Sequence, residues 1–321
     1  MNRRAVKPTR IFSDALLDAF RQRGDDEADA VVTAFLADGR SLHTFLRERT
    51  AGQKLTEFLS FSETAFRLPA WADERKLRRG RAFFRKHKRE IAILLGCLSL
   101  PYSYLGADGV QVLALSGRMQ DDTRQRLEET ATFVFALAEE EEWTSGAAVE
   151  RILNVRLIHA AVRRLCRESG RWKAEWGVPI NLEDMAGTNL SFGYLVLRGL
   201  RKGGLQADDA DEEAFLHLWN VIGAISGVPE ELLPQNTREA WTLERTMVRR
   251  LFRPTPEGRE LAAALVRTLE DEMPRPMKGM AAARMRLLLG DELADCLGLP
   301  IAPLQGRWLA HVPARLFMPR V

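Results

Sequence analysis

The sequence predicts an all-α protein built as one large domain. Apolar residues recur at intervals of three and four in about ten segments, the pattern of helices that bury one face. Short breaks rich in glycine and proline separate these segments, and neither a repeat nor a long linker interrupts the 321 residues. Only Val110–Leu115 could form a strand, and it has no second strand to pair with. We therefore expect a single helical domain over residues 1–321.

Start and stop signals place the first elements. Residues 1–69 are expected to form a helical N-terminal extension. Asp121 and Thr123 supply the acidic and capping groups that favour the start of a helix, which should run to about Glu142. A further helix is expected over residues 146–167, where the apolar periodicity is unbroken.

Capping residues and prolines place the later helices. Asn181 is expected to be an N-cap, with Asp184 in the capping-box position three residues later. Pro229 and Pro256 each precede or open a further helix, because proline is tolerated in the first helical turn.

The composition is that of an ordinary globular protein. Apolar residues make up 46% of the chain and charged residues 28%, and the formal net charge is only +3. Nine basic residues cluster between Arg75 and Arg89, beside Trp71, Phe83 and Phe84. Such a cluster could contact an anionic surface, but without a recognition motif it is more typical of a solvated helix face. We expect no nucleic-acid partner.

Cysteines and apolar runs bear on location. Cys97, Cys166 and Cys296 lie far apart, which favours buried thiols in a reducing compartment over a disulfide or zinc site. The N-terminus lacks the apolar core of an export signal. The longest apolar run, Ile91–Leu100, is too short to cross a bilayer. We expect a cytoplasmic protein without a transmembrane segment and leave a peripheral membrane contact open.

One histidine stands in the apolar face of a predicted helix. Ile152, Val155, His159, Val162 and Cys166 follow one another at offsets of three and four, so they share one side. Burying an imidazole is unfavourable unless it has a hydrogen-bond partner or a metal. His159 is therefore either a core histidine bonded to a backbone carbonyl or the ligand of a haem iron.

Two arginines strengthen the haem interpretation. Arg156 and Arg163 flank His159 at minus three and plus four, which places them at the edges of the apolar stripe. An apolar wall with a central imidazole would accept the haem ring, and guanidinium groups at its rim would bind the propionates.

Polar side chains on two neighbouring helices extend the candidate site. Arg126, Thr130 and Phe133 share one face of the preceding helix, where the alternative is a half-buried arginine paired with an acid. Gly187 and Thr188 lie inside the helix that follows Asn181. Glycine in a helix costs up to ~1 kcal/mol relative to alanine, so we expect close approach of another helix or of a flat ligand.

Several other chemistries lack their motifs. The chain has no Gly-rich phosphate loop and no Gly-x-Ser-x-Gly turn. The five histidines have no metal-ligand spacing. Asp26-Glu-Ala-Asp29 spells a helicase motif, which is a chance match without a phosphate loop or alternating strands.

Three motifs taken together resemble a known family. Arg126-Leu-Glu-Glu-Thr130, Val155-Arg-Leu-Ile-His159-Ala-Ala-Val-Arg163 and Trp176-Gly-Val-Pro-Ile-Asn-Leu-Glu-Asp-Met-Ala-Gly-Thr188 are similar to the rubber-oxygenase catalytic domain. That family includes bacterial latex-clearing proteins and membrane-bound prenyl-chain oxygenases of fungal mycophenolic acid synthesis. Shorter similarities lie at Ser99-Leu-Pro101-Tyr, Gly117-Arg-Met, Leu287-Leu-Leu-Gly-Asp291 and Leu297-Gly-Leu-Pro300, so the resemblance covers about residues 70–300.

The resemblance implies a cofactor and roles for some of these residues. It implies an all-helical fold with a globin-like core around a b-type haem, with His159 as the proximal iron ligand. Arg126 and Thr130 match the distal-helix motif. The rubber-cleaving members carry a lysine just before this threonine, which can cap the iron, and this chain has Glu129 there.

The expected function follows from this resemblance. We expect a haem-b-dependent oxygenase that acts with dioxygen on a hydrophobic substrate, isoprenoid or otherwise unsaturated. In the resembling enzymes oxygen adds across a carbon–carbon double bond, which breaks into two carbonyls. The alternatives are a haem-binding sensor or carrier without oxygenase turnover, and a helical interaction protein that has lost the haem.

Each candidate residue has an expected role in this scheme. Arg126 and Thr130 offer donors to oxygen or a propionate, while Glu129 acts as a base or bonds to Arg126. Phe133 shapes the substrate slot, and Thr188 is a further cofactor contact.

Overall fold

The computed structural model describes residues 10–50, 67–116, 123–205, 207–271, 273 and 277–301. Within these ranges the chain forms helices and no strand, and its only bridge of strand type is the isolated one between Gly106 and Phe252. The prediction of an all-α protein is therefore confirmed. The motif Gly117-Arg-Met and the predicted helix start at Asp121 lie outside the described residues.

The helices are α1 (Asp14–Arg21), α2 (Asp26–Ala37), α3 (Leu42–Thr50), α4 (Glu74–Lys86), α5 (Lys88–Leu94), α6 (Leu100–Ser103), α7 (Gln111–Leu115), α8 (Thr123–Ala136), α9 (Glu140–Thr144), α10 (Ala147–Glu168), α11 (Leu182–Phe192), α12 (Tyr194–Lys202), α13 (Asp209–Ile225), α14 (Thr237–Leu251), α15 (Pro256–Asp271), α16 (Met280–Leu289) and α17 (Asp291–Cys296). A π-helix, Leu95–Ser99, joins α5 to α6, and 3-10 turns span Ala174–Trp176 and Glu230–Leu232.

Two local predictions are wrong in detail. The helix expected to run to about Glu142 ends at Ala136, and α9 starts only at Glu140. Trp143 on α9 donates its indole N–H to the Leu137 carbonyl 2.9 Å away, which stabilises the break. The segment that could have been a strand is the helix α7, and Pro229 opens only a 3-10 turn. Neither short element carries a long periodic pattern that would distinguish these states.

Two hydrophobic clusters form the core, and the N-terminal helices contribute to both. Phe35 of α2 and Phe45 of α3 pack in the larger cluster. Leu17 and Phe20 of α1, with the preceding Phe12, pack in the smaller one against α11 and α14. Residues 10–50 are thus part of the globule and not an appended arm.

Among the described helices, α4 and α13 make the most extensive contact with each other. A Cβ atom at Gly80 would lie 2.5 Å from the carbonyl oxygen of Ala214, so only glycine permits this spacing. Phe83 and Phe84 of α4 are buried in the core while the basic side chains at 75, 76, 78 and 79 are exposed. This arrangement is the one expected for a solvated basic face.

The three cysteines form no disulfide, as the sequence predicts. Cys97 and Cys166 are buried, Cys296 is partly buried, and all three are free. Among the described residues no helix is long and apolar enough to cross a membrane.

Candidate functional site

His159 lies near the middle of α10, on a face that is only partly covered. Ile152 and Cys166 at the two ends of the predicted stripe are buried, whereas Val155, His159 and Val162 between them keep partial exposure. The described part of the protein therefore leaves an apolar strip of α10 open around the imidazole.

One ring nitrogen of His159 is buried without a hydrogen-bond partner among the described residues. This atom is Nδ1, and an unpartnered polar atom is unfavourable in a protein interior. Burial lowers the pKa of His159 to about 4; the positive charge of Arg163 lowers it further, while Asp25 opposes the shift. The side chain is thus a neutral imidazole at neutral pH, the form that ligates metals.

Arg156, one turn before His159, is held by carboxylates of the N-terminal segment. It is buried, and its Nη2 donates to Asp25 and to Glu27 at 2.8 Å each. Its Nε donates to the second oxygen of Asp25, so the contact with Asp25 is bidentate. A Cβ atom at Gly227 would lie 2.6 Å from Asp25, so a glycine with φ of 90° makes room for the pair.

Arg163, one turn after His159, is also fully engaged. It pairs with Asp29 of α2 and donates to the carbonyls of Pro179 and Ile180 at 3.1 Å each. Ile180 has a φ of 50°, a strained conformation for a β-branched residue, and its carbonyl is one of these acceptors. Both arginines are therefore buried in protein contacts, which corrects the expectation that they stand at an open rim facing propionates.

A small cavity joins the distal-helix residues of α8 to the segment after the π-helix. It has a volume of about 30 Å³, and both Arg126 and Thr130 line it. Their partners in the lining are Leu100, Tyr104, Thr123 and Leu127. Thr130 donates its hydroxyl hydrogen to the Arg126 carbonyl at 2.8 Å. The structure thus brings together the two residues of this motif that the sequence selected.

Glu129 and Phe133 have different surroundings on the same helix. Glu129 is exposed, accepts a hydrogen bond from Gln125 at 3.0 Å, and is not among the residues that line the small cavity. Phe133 is partly buried and packs against the larger core cluster. Of the three residues of this helix expected to act in catalysis, Arg126 and Thr130 line the cavity and Glu129 does not.

The turn before α11 matches its sequence signals. Asn181 caps the helix by accepting from the Asp184 N–H at 2.9 Å, and its amide donates to the Asp184 carboxylate at 2.8 Å. Thr188 is exposed and donates to the Asp184 carbonyl. A Cβ atom at Gly187 would lie 3.5 Å from the sulfur of Met247, an ordinary contact, so helix packing accounts for this glycine.

Sequence reasoning missed two groups of residues that contact the site. The first is Tyr104, which shares the small cavity with Arg126. The second is the pair of acids Asp25 and Asp29, which hold α10 on both sides of His159. Asp25 also caps α2 by accepting from the Ala28 N–H, and within the segment 26–29 Glu27 binds Arg156 and Asp29 binds Arg163. No local pattern links residues more than a hundred positions apart.

The site residues satisfy the requirements of a haem better than those of a cluster-bound ion. Within the described ranges no group of three histidine, cysteine or acidic side chains could hold a metal ion. His159 instead offers one neutral, incompletely bonded imidazole on an open apolar strip. A flat apolar cofactor whose metal lacks one axial ligand fits these features.

The comparisons with known proteins identify the family of the chain. Residues 84–321 match the family described as ER-bound oxygenase mpaB/B'/Rubber oxygenase, catalytic domain, and the chain belongs to that family of oxygenases. A rubber oxygenase of Streptomyces sp. (strain K30) is 28% identical over 302 residues, which cover 89% of this chain and 73% of the relative.

A solved structure extends the similarity to three dimensions. The latex clearing protein LCP in the closed state superposes with a TM-score of 0.77 at 25% identity. The match covers 92% of this chain and 83% of the other. The fold therefore extends beyond the matched catalytic domain to include the N-terminal helices.

Proposed function

We propose that this chain is a haem-b-dependent oxygenase that uses dioxygen to cleave a hydrophobic substrate with isoprenoid-like carbon–carbon double bonds. The observation that carries the proposal is the neutral imidazole of His159, whose Nδ1 is buried without a partner on a partly open apolar strip of α10. Family membership supports the oxygenase class, and similarity to the rubber oxygenase of Streptomyces supports the substrate class.

His159 would hold the haem through its imidazole in this proposal. Val155 and Val162, one turn away on either side, would contact the ring because both keep exposed apolar surface. Bound haem would supply the redox chemistry that couples dioxygen to an unsaturated bond. In the balanced reaction one alkene and one O2 give two carbonyl groups, so the protein neither supplies nor removes net protons.

The remaining residues would set position and polarity. Arg126 and Thr130 would direct donors into a site from which water is largely excluded, where electrostatic contacts are stronger than in water. Phe133 would shape the apolar slot, and Thr188 would offer a hydroxyl at the cofactor edge. Glu129 would replace the family lysine without capping the iron, since its carboxylate is exposed and bonded to Gln125.

Arg156 and Arg163 have a different role here. Because Asp25, Glu27 and Asp29 neutralise them, we assign them to fixing the helix that presents His159. Holding a ligand helix on both sides of its ligand is a form of preorganisation.

The axial ligand can be tested by removing it. We expect His159→Ala to fold but to bind little or no haem, because the iron loses its axial ligand. The measurement is the Soret absorbance per protein after haem reconstitution, with His43→Ala as the matched control because His43 is exposed on α3. An unchanged spectrum and full haem content in His159→Ala would show that the ligand assignment is wrong.

Turnover separates this proposal from its alternatives. The haem-loaded protein should consume dioxygen and release carbonyl products when given polyisoprene or another unsaturated hydrocarbon chain. A Soret band without product from these substrates would support a sensor or carrier. Absence of any haem binding would support an interaction protein.

A further inference from the structure

Tyr104 stands at the junction between the π-helix segment and α8. It is buried, with 4% of its surface exposed, and it lines the small cavity together with Arg126 and Thr130. The Arg126 side chain lies beside this phenol in the cavity lining, and its positive charge acts on it. Burial raises the pKa of Tyr104, and the neighbouring guanidinium lowers it only in part, so the phenol stays protonated at neutral pH.

The backbone of Tyr104 is fixed by the packing of two other elements. Its N–H donates to the carbonyls of Leu100 and Pro101 at 3.3 and 3.2 Å. A Cβ atom at Gly258 on α15 would lie 2.5 Å from the Tyr104 carbonyl oxygen, so the two backbones touch. Three residues on, the Ala107 N–H donates to the Leu251 carbonyl. The backbone around Tyr104 is therefore held by contacts with α14 and α15.

Arg126 lies on α8, which packs on the larger core cluster through Val134 and through the partly buried Leu127, Phe133 and Phe135. Arg126 itself is partly exposed. A long arginine side chain loses considerable rotamer freedom when it is held in one place. A fixed acceptor opposite the guanidinium is therefore needed if its donors are to keep one direction.

We propose that Tyr104 is the positioning residue for Arg126, and that its phenol oxygen accepts from one side of the guanidinium so that the remaining N–H groups are directed into the small cavity. A volume of about 30 Å³ exceeds what one water needs, so the cavity admits a small molecule such as dioxygen. This inference rests on the proposed function for what the directed donors serve, but the contact itself does not depend on haem.

A double-mutant cycle on the haem-free protein tests the contact. Tyr104→Phe, Arg126→Leu and the double variant are unfolded with urea. We expect the losses of the single variants to be non-additive, because each substitution removes the same hydrogen bond. The control is the same cycle with Tyr102→Phe in place of Tyr104→Phe, because the Tyr102 hydroxyl donates to Glu244 elsewhere in the core. Additive losses for the Tyr104 and Arg126 pair would overturn the proposal.

A spectroscopic measurement on the haem-loaded protein tests the direction of the donors. We expect the infrared stretching band of added carbon monoxide to shift in Tyr104→Phe towards its position in Arg126→Leu, and to stay unchanged in Tyr102→Phe. A band in Tyr104→Phe identical to that of the unaltered protein overturns the positioning role. If no haem binds at all, the proposed function fails, while the urea cycle still decides whether Tyr104 holds Arg126.

Discussion

At the scale of single residues, His159 is held where its protonation is unfavourable. In the folded haem-free protein the pKa of His159 is about 4, whereas an exposed histidine has a pKa of ~6.5. The unfolded chain therefore binds more protons than the folded chain between these values, and stability falls as pH drops through this window. The full effect is up to about 3 kcal/mol.

This pH dependence should be lost in His159→Phe. The variant keeps a ring of similar size but has no group to protonate, so its free energy of unfolding should change less between about pH 7 and pH 4. The measurement is urea unfolding of both apoproteins across that range. Parallel stability profiles for the two proteins would contradict the buried, neutral imidazole.

The titration of Asp184 changes stability with pH in the opposite direction. Burial raises its pKa to about 6, although Arg21 opposes the shift. The folded state therefore holds an extra proton below that value, and this contribution to stability is lost as pH rises towards 6. Because Asp184 is present in both proteins, the difference between their profiles isolates His159.

Arg126 should matter more for turnover than for folding. Arg126→Leu keeps an apolar stem and removes every donor, so we expect haem content to fall modestly and oxygenase activity to fall about 100-fold. The measurements are melting temperature, haem content and turnover per haem. Arg124→Leu on the same helix is the control, because Arg124 does not line the small cavity. A large stability loss with normal turnover per haem would place Arg126 outside the site.

How far the site could be predicted depends on the range of each contact. His159, Arg126 and Thr130 could be selected as candidates because local helical offsets place them on defined faces. The partners of Arg156 could not, since Asp25 lies 131 residues away along the chain and no local rule selects it. Tyr104 was overlooked for the same reason, because its side chain meets α8 only in the folded protein.

At the scale of elements, α10 is fixed by its ion pairs with the N-terminal segment. Asp25→Ala would remove the buried bidentate partner of Arg156, while the partly exposed Glu27 stays in contact with it. Breaking a buried pair in this way costs about 3–5 kcal/mol. We expect a corresponding loss in the free energy of unfolding, measured with urea.

The neighbouring acid provides the control for this prediction. Asp26 lies in the same first turn of α2 but is exposed, so Asp26→Ala should change stability little. Equal unfolding midpoints for the two variants would show that the buried pair does not stabilise α10.

Element boundaries were predicted less well than element types. Long periodic segments such as α10 and α13 have unambiguous helical patterns. The break between α8 and α9 depends on the hydrogen bond from the Trp143 indole to the Leu137 carbonyl, which joins two elements after they fold. A helical pattern continues through this break in the sequence, so periodicity alone could not locate it.

At the scale of the whole molecule, residues 10–50 are required by the rest of the fold. They place five large apolar side chains in the two core clusters, namely Phe12, Leu17, Phe20, Phe35 and Phe45. Their burial is worth roughly 10 kcal/mol, comparable with the entire stability of an ordinary domain. The expectation of an N-terminal extension understated this role.

A chain that begins at residue 51 should therefore fail to fold cooperatively. It would also leave Arg156 and Arg163 without their carboxylates. We expect loss of the near-ultraviolet circular dichroism and of a sharp calorimetric transition, with helical content partly retained. A truncated protein with a single sharp transition close to that of the full chain would contradict this view.

The π-helix at Leu95–Ser99 makes the protein sensitive to the deletion of a single residue. Such a helix is an α-helix with one residue added to a turn, which rotates everything beyond it by about 100°. Loss of a single codon here would restore a regular helix and turn Leu100 and Tyr104 away from the small cavity, although no side chain of the site had been replaced. The number of residues between α5 and Tyr104 therefore matters for the cavity as much as the identity of the tyrosine does.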